Sequence, residues 1–278
     1  MVVKSILLAY PDSLKIIIGS LIVVTVAILA LIAPVVAPYD PTKSIGTPFT
    51  PPSREYILGT DHLGFDVLSR IIWGARTVLQ VVISATLVAL IVGVALGAIS
   101  GYYGGIIDRV LSMIMDSLYA FPSLILAIAI AAVLGPSPYN ATIAISVVYI
   151  PIYYRMVKGQ TLAVKAQLFV DAARASGVRD RTIIVYYILP NIAHTILVVM
   201  SLNIADAILT EAGLSFSGLT VSPPTPDWGF DLRVGQRFLL LGYWWLSVFP
   251  GLAIMILALG FALIGEGLSD RFQIRTIR

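Results

Sequence analysis

Two carboxylates five residues apart, Asp206 and Glu211, are the pair in this chain that most resembles catalytic machinery. Paired acids can divide the roles of proton donor and proton acceptor. Both stand at the end of an apolar run, where pore lining or helix packing explains them better than catalysis. Asp116 and Pro122 interrupt another apolar run and take the same two readings, because a carboxylate inside a span must face protein or water. The only histidines are His62 and His194, and cysteine is absent. That excludes disulfides, thiolate metal sites and a cysteine nucleophile, and two histidines cannot form a His cluster. There is no Gly-x-x-x-x-Gly-Lys-Ser/Thr phosphate loop, and the glycines of Gly101–Gly105 lack both the lysine and a preceding strand. Neither a cofactor nor a metal is expected, and the chain is not read as an enzyme.

The densest polar stretch runs from Arg155 to Asn191. It holds Arg155, Lys158, Lys165, Arg174, Arg179 and Arg181 against only Asp171 and Asp180. What surrounds it is strongly apolar. Over 278 residues the chain is 58% hydrophobic and 12% charged, whereas a soluble domain carries roughly 25% charged residues. The class is therefore a polytopic, all-α membrane protein, with lipid as its surroundings. The net charge of +3 is small. In such a chain the placement of Lys and Arg outweighs their sum, so nucleic acid is not implied.

Six transmembrane helices are expected: Ile16 to Ala37, Thr77 to Ser100, Val110 to Leu134, Ala141 to Tyr154 or Met156, Ile192 to Leu209, and Leu246 to Ile264. The first is read as a retained helix rather than a signal peptide, since Pro34, Pro38 and Pro41 replace a small-residue cleavage site. Between the first two, Leu63, Val67, Leu68, Ile71 and Ile72 fall at helical spacing and predict an amphipathic surface helix, with Asp61 as its cap. Gly93, Gly97 and Gly101 recur every four residues, the interval that lets helix backbones approach closely. Trp244 and Trp245 suggest a bilayer interface. Six spans place Lys4, Lys15, the basic stretch, Arg271, Arg275 and Arg278 on one side, so positive-inside counting gives an N-in, C-in topology.

The basic stretch has more structure than a topological anchor needs. Ala163, Ala166, Val170, Ala173 and Gly177 form a narrow stripe of small residues, with Gln167, Asp171, Arg174 and Asp180 as polar contacts. This predicts a short helix lying along the membrane, its small residues available to a groove on another protein. Gly177 would end that helix in the left-handed conformation, and Pro190 would begin the next span near its first turn.

Here the residues resemble a known family. Asp171-Ala172-Ala173, Gly177 six positions after the acid, and the closing Leu189-Pro190 are similar to the "EAA" coupling loop of ABC importer permeases. Leu58-Gly59-Thr60-Asp61, Asp66-Val67-Leu68-Ser69-Arg70, Gly74-Ala75-Arg76, Gly101-Tyr102-Tyr103-Gly104-Gly105, Ala120-Phe121-Pro122, Glu211-Ala212-Gly213-Leu214-Ser215-Phe216, Pro223-Pro224-Thr225-Pro226 and Phe249-Pro250-Gly251-Leu252-Ala253 extend the resemblance. Together, over roughly residues 56 to 270, they resemble the second, C-type permease subunit of dipeptide, oligopeptide and nickel importers. Phe65 stands where that subfamily usually has Arg, Asp171 where it has Glu, and Tyr187 where it often has His.

The resemblance implies a cytoplasmic coupling helix between spans four and five, with Asp171, Ala172, Ala173, Arg174, Ser176, Gly177, Leu189 and Pro190 docking an ATPase. It implies half of a heterodimeric pore in the cytoplasmic membrane, completed by a homologous permease subunit. Two cytoplasmic ABC ATPase subunits, which bind the ATP, and an external solute-binding protein would complete the importer. Di- or oligopeptides are the expected cargo. Residues 1–76 would form an N-terminal helix, outer segment and amphipathic helix, and residues 77–278 a five-span core. The rival is a self-sufficient secondary transporter or channel, which would call for inverted repeats or buried charge relays; neither is evident. An integral membrane hydrolase would need its reactive groups on one side, and His62 and His194 are expected on opposite faces.

Overall fold

A computed structural model describes residues 11–276, with side chains placed from residue 13 to 272; Lys4, Arg278 and the Arg275 side chain lie outside this range. Among the described residues the chain is helical, with one isolated β-bridge, Thr60 to Asp66. The helices are α1 (Pro11–Leu31), α2 (Ala33–Val36), α3 (Val67–Tyr103), α4 (Gly105–Tyr119), α5 (Ser123–Leu134) and α6 (Pro138–Lys165). They continue with α7 (Leu168–Ala175), α8 (Asp180–Phe216), α9 (Trp228–Gln236) and α10 (Trp245–Thr276). Of these, α1, α3, α8 and α10 are long and apolar enough to cross a membrane. The consecutive helices α4 and α5 would make a fifth span, bent by 91° at residues 120–122. This is a multi-pass membrane protein.

The core forms where α3 lies along α6. The four-residue glycine stripe is what brings them together: a Cβ on Gly93 would sit 2.5 Å from Tyr153 Cβ, and one on Gly97 2.6 Å from the Tyr154 carbonyl oxygen. A Cβ on Gly101 would meet the Lys158 carbonyl oxygen at 2.8 Å. Backbone contact of this kind replaces the hydrophobic drive that lipid cannot supply. A second crossing joins α1 to α10, where a Cβ on Gly19 would lie 2.5 Å from the Gly260 carbonyl oxygen. Lys15 clamps the same pair through Glu266 at 3.2 Å and Asp270 at 3.0 Å.

Several boundaries differ from the sequence expectations. No separate amphipathic helix precedes the second span. Leu63 lies in a turn, while Val67, Leu68, Ile71 and Ile72 open a single 37-residue helix that runs through Arg76 and Thr77. Asp66, not Asp61, caps it, accepting from the Ser69 amide at 2.7 Å. Asp61 closes its own turn, accepting from the amides of Leu63 and Phe65. Span three is broken rather than continuous, since Pro122 cannot donate to the ladder and disfavours helix at the residue before it. The polar stretch is mostly helix: α6 continues to Lys165, because its charged half still packs on α3 through Val157 and Thr161. Trp245 is not an interface anchor. It is 5% exposed, and its indole donates to the Thr60 carbonyl at 3.2 Å; Trp244 stays half exposed.

Candidate coupling site and translocation face

Helix α7 sits between α6 and α8 and has two unlike faces. Val170 and Ala173, 0% and 8% exposed, pack into a cluster with Ala98 and Tyr102 of α3, Val157 of α6, and Ile183, Ile184, Ile188 and Ile192 of α8. Of the small-residue stripe, Val170 and Ala173 therefore face the chain's own core, because a helix this short needs an apolar anchor to stay folded, while Ala163, Ala166 and Gly177 stay exposed. The other face carries exposed Leu168, Phe169, Asp171, Ala172, Arg174, Ala175, Ser176 and Gly177. Leu168 is 86% exposed. The helix ends as expected: Gly177 has φ +78°, its amide bonds the Arg174 carbonyl at 3.0 Å, and the Val178 amide bonds Ala173 at 3.1 Å. These reversed bonds satisfy carbonyls that would otherwise have no partner, and they favour glycine at the left-handed position.

Tyr102, at the end of α3, ties this site to the spans. Its hydroxyl donates to Asp180 Oδ1 at 2.6 Å and accepts from Arg174 Nη2 at 3.4 Å. Lys165 donates to its carbonyl at 2.5 Å, and both cations lie over its ring. Arg174 also lies 3.8 Å from Asp171. Close by, Asp108 of α4 pairs with Lys158 of α6 and accepts from Ser100 at 2.5 Å and Ser112 at 3.0 Å. The Tyr154 hydroxyl joins the same group. Sequence reasoning missed this knot; the signal was a cation three residues into an apparent loop, Lys158, facing an acid just after the Gly104-Gly105 turn.

Pro190 stands in the first turn of the α-helical stretch Leu189–Phe216, as expected, although helix already precedes it from Asp180. The turn before that stretch, Ile183–Ile188, is a π-helix, and the Leu189 amide reaches back to Ile184. A proline inside a regular α-helix clashes with the carbonyl four residues earlier, and the widened turn relieves that crowding. Asn191 donates to the Tyr187 carbonyl at 2.6 Å, which satisfies one of the acceptors left there.

The three acids and one proline read as pore or packing residues separate into distinct roles. Asp116, at the end of α4, accepts from Arg155 Nη2 at 2.7 Å, and the guanidinium stacks 4.0 Å above the Tyr119 ring. Pro122 stands at the α4–α5 break. Asp206 and Glu211 are not a pair, since five residues turn a helix through about 500° and leave the two side chains about 140° apart. Asp206 is exposed and accepts from the Tyr149 hydroxyl at 2.6 Å. Glu211 is fully buried and faces Asp227 and Thr220 instead. Asp227 caps α9, accepting from the Gly229 and Phe230 amides and from Ser215, and burial pushes its carboxyl up. Among the described residues, no three His, Asp or Glu side chains are grouped as a metal site.

On the opposite end, the segment between α2 and α3 and the segment around α9 are held by Arg70. It is 5% exposed and bonds Asp231 through Nε at 3.0 and 3.1 Å. Its Nη1 donates to the carbonyls of Pro41 and Pro224 at 3.0 and 3.1 Å. Burial pushes the Asp231 carboxyl up to about 6, against the opposing pull of Arg70. The Phe65 ring lies 5.5 Å from the same guanidinium. Trp228 donates to the Ile71 carbonyl at 2.8 Å beside Gly74.

Residues 93–277 match the family described as binding-protein-dependent transport system inner membrane component. The chain is 42% identical over 259 residues to a dipeptide transport system permease protein of Alkalihalophilus pseudofirmus, covering 91% of this chain and 84% of that protein. It is 40% identical over 219 residues to a glutathione transport system permease protein of Pectobacterium atrosepticum, covering 79% and 72%. A probable D,D-dipeptide transport system permease protein of Escherichia coli is 36% identical over 253 residues, covering 91% and 85%. An exposed short helix anchored on three longer helices is thus set in a chain that belongs to the inner membrane components of binding-protein-dependent transport systems.

Proposed function

We propose that this chain forms half of the pore of a binding-protein-dependent ABC importer of di- or oligopeptides, with the exposed face of α7 as the docking element for an ATPase subunit. The observation that carries this reading is the two-faced α7. Its inner face is packed on α3, α6 and α8 together, so a displacement imposed on its outer face is delivered to three helices at once. Leu168, Phe169, Ala172 and Ser176 supply contact area there, with Asp171 and Arg174 as polar partners. The substrate class follows the relatives, whose names are those of dipeptide and glutathione permeases.

The topology we assign has six spans, with α6 as the sixth: its 28 residues, about 42 Å of helix, exceed the hydrocarbon thickness. Both termini and α7 then lie on the cytoplasmic side, and Arg70, Asp231 and the segment between α2 and α3 lie outside. ATP-driven closure of two ATPase subunits would rock the helices between two packings, with a homologous permease as the other half and an external binding protein delivering the solute.

The experiment is to tag the chain, extract it gently from its native membrane and identify what accompanies it. Recovery of a second permease and ATPase subunits, with ATP-dependent dipeptide uptake after reconstitution, is the expected result. Recovery of the chain alone, or only with copies of itself, overturns the assignment in favour of a self-sufficient transporter.

A further inference from the structure

Asp206 lies ten residues before the end of α8, about 15 Å along the helix, and so inside the bilayer thickness. It is exposed, yet it is pinned from behind. Tyr149, 1% exposed, donates to its Oδ2 at 2.6 Å and meets Thr210, 5% exposed, at 3.1 Å. Both neighbours are neutral, and among the described residues no cation pairs with this carboxylate. A charge at that depth is costly against lipid tails and normally faces water or a partner charge.

Two grooves meet at it. One, of about 410 Å³, lies under the α4–α5 break and is lined by Tyr119, Pro122 and Ser123 with Val148 and Ile152 of α6. The other, of about 760 Å³, is apolar and runs between α8 and α10 past Leu209 and Met255. Asp206 lines both, and among the described residues it is the only charged side chain in either lining. Grooves of this size hold small molecules. An acid locked to a fixed interchain cation would not need such open space on both sides.

We propose that Asp206 is a binding point for the positive end of the transported solute, a protonated amine, as it passes between the two grooves; the proposal rests on the importer reading above. The Tyr149 hydroxyl fixes the carboxylate's direction, and one acid sharing an oxygen with that hydroxyl holds an ammonium weakly enough for it to leave.

Since the chain has no cysteine, Ser123→Cys places one thiol in the smaller groove. In the assembled transporter in its membrane, this thiol is reacted with a trimethylammonium-ethyl and with a sulfonato-ethyl methanethiosulfonate, each rate divided by its rate with a free thiol. Focusing by Asp206 should favour the cationic reagent about tenfold, and adding Asp206→Asn should bring the two rates within about twofold. Dipeptide uptake at low concentration should fall about tenfold in Asp206→Asn and largely survive in Asp206→Glu, with ATPase subunits still bound. Equal rates in the parent, or no reaction with either reagent because another chain or lipid covers the groove, overturns the proposal. So does loss of subunits from Asp206→Asn, which would make the acid an interface residue. Failure of the importer reading shows separately, in what co-purifies.

Discussion

Arg70 and Asp231 are 161 residues apart in the chain and are joined by bonds of 3.0 and 3.1 Å from Nε and by a second bond from Nη2 to Oδ1. This pair fastens the start of α3 to α9 across one end of the molecule. Removing one partner leaves the other buried and uncompensated, which costs about 3–5 kcal/mol, whereas replacing both with apolar residues of similar volume is often neutral. Asp231→Ala should therefore destabilise the purified protein severely, and Arg70→Met with Asp231→Leu should recover most of the loss. Thermal unfolding in detergent distinguishes the two, and equal Tm values for the single and double variants would count against a buried pair.

The same pair predicts a pH dependence. Burial raises Asp231 from an ordinary 3.8 to about 6, so the folded state holds this proton more tightly than the unfolded state does. Its contribution is fully present below about pH 4, declines as pH rises through about 6, and is constant above that. The full excursion is about 3 kcal/mol by linkage. Subtracting the pH profile of the Arg70→Met/Asp231→Leu variant from that of the parent isolates it. A difference that grows with pH across this window would reverse the sign assigned here.

The glycine stripe makes a sharper prediction, because its contacts are with backbone. Gly97→Ala would bring a methyl to 2.6 Å from the Tyr154 carbonyl oxygen, and the two helices would have to separate. Overpacking of this kind costs about 1–3 kcal/mol. Gly159, in α6, has nothing within 4 Å of where its Cβ would be. Gly159→Ala should then be neutral, or stabilising by up to about 1 kcal/mol from helix propensity. Tm measured on both variants tests the contrast directly.

What could be read from the chain divides by physical range. The Gly93, Gly97 and Gly101 contact and the end of α7 at Gly177 were legible because helical spacing and left-handed glycine are local properties. The length of α6 was not. Hydropathy falls at Arg155, yet Val157 and Thr161 still pack on α3, and Lys158 finds Asp108 across the helix pair. The direction of Val170 and Ala173 was equally hidden, since spacing says which residues share a face but not what that face meets; these two turned inward to Ile183 and Ile188, while Ala163, Ala166 and Gly177 stayed exposed. Asp206 and Glu211 looked like a pair because they are near in sequence, although helix rotation sets them on different sides. Arg70 was noticed as part of a motif, but its partner could only be found by folding.

Gly177 carries the last prediction. Its backbone is left-handed and nothing lies within 4 Å of its missing Cβ, so a new side chain would project outward from the exposed face of α7 without disturbing the chain's own packing. Gly177→Asn should be tolerated, since asparagine accepts this conformation and adds no charge. Gly177→Asp places an acid six residues after Asp171 on the same exposed end, where an ATPase groove would have to receive it. Assembly should persist in both variants, while uptake per ATP hydrolysed falls at least about tenfold in the Asp variant and stays close to the parent in the Asn variant. Reconstituted complexes in proteoliposomes, with phosphate release and dipeptide uptake recorded together, give that ratio. An unchanged ratio in Gly177→Asp would remove this end of α7 from the docking surface.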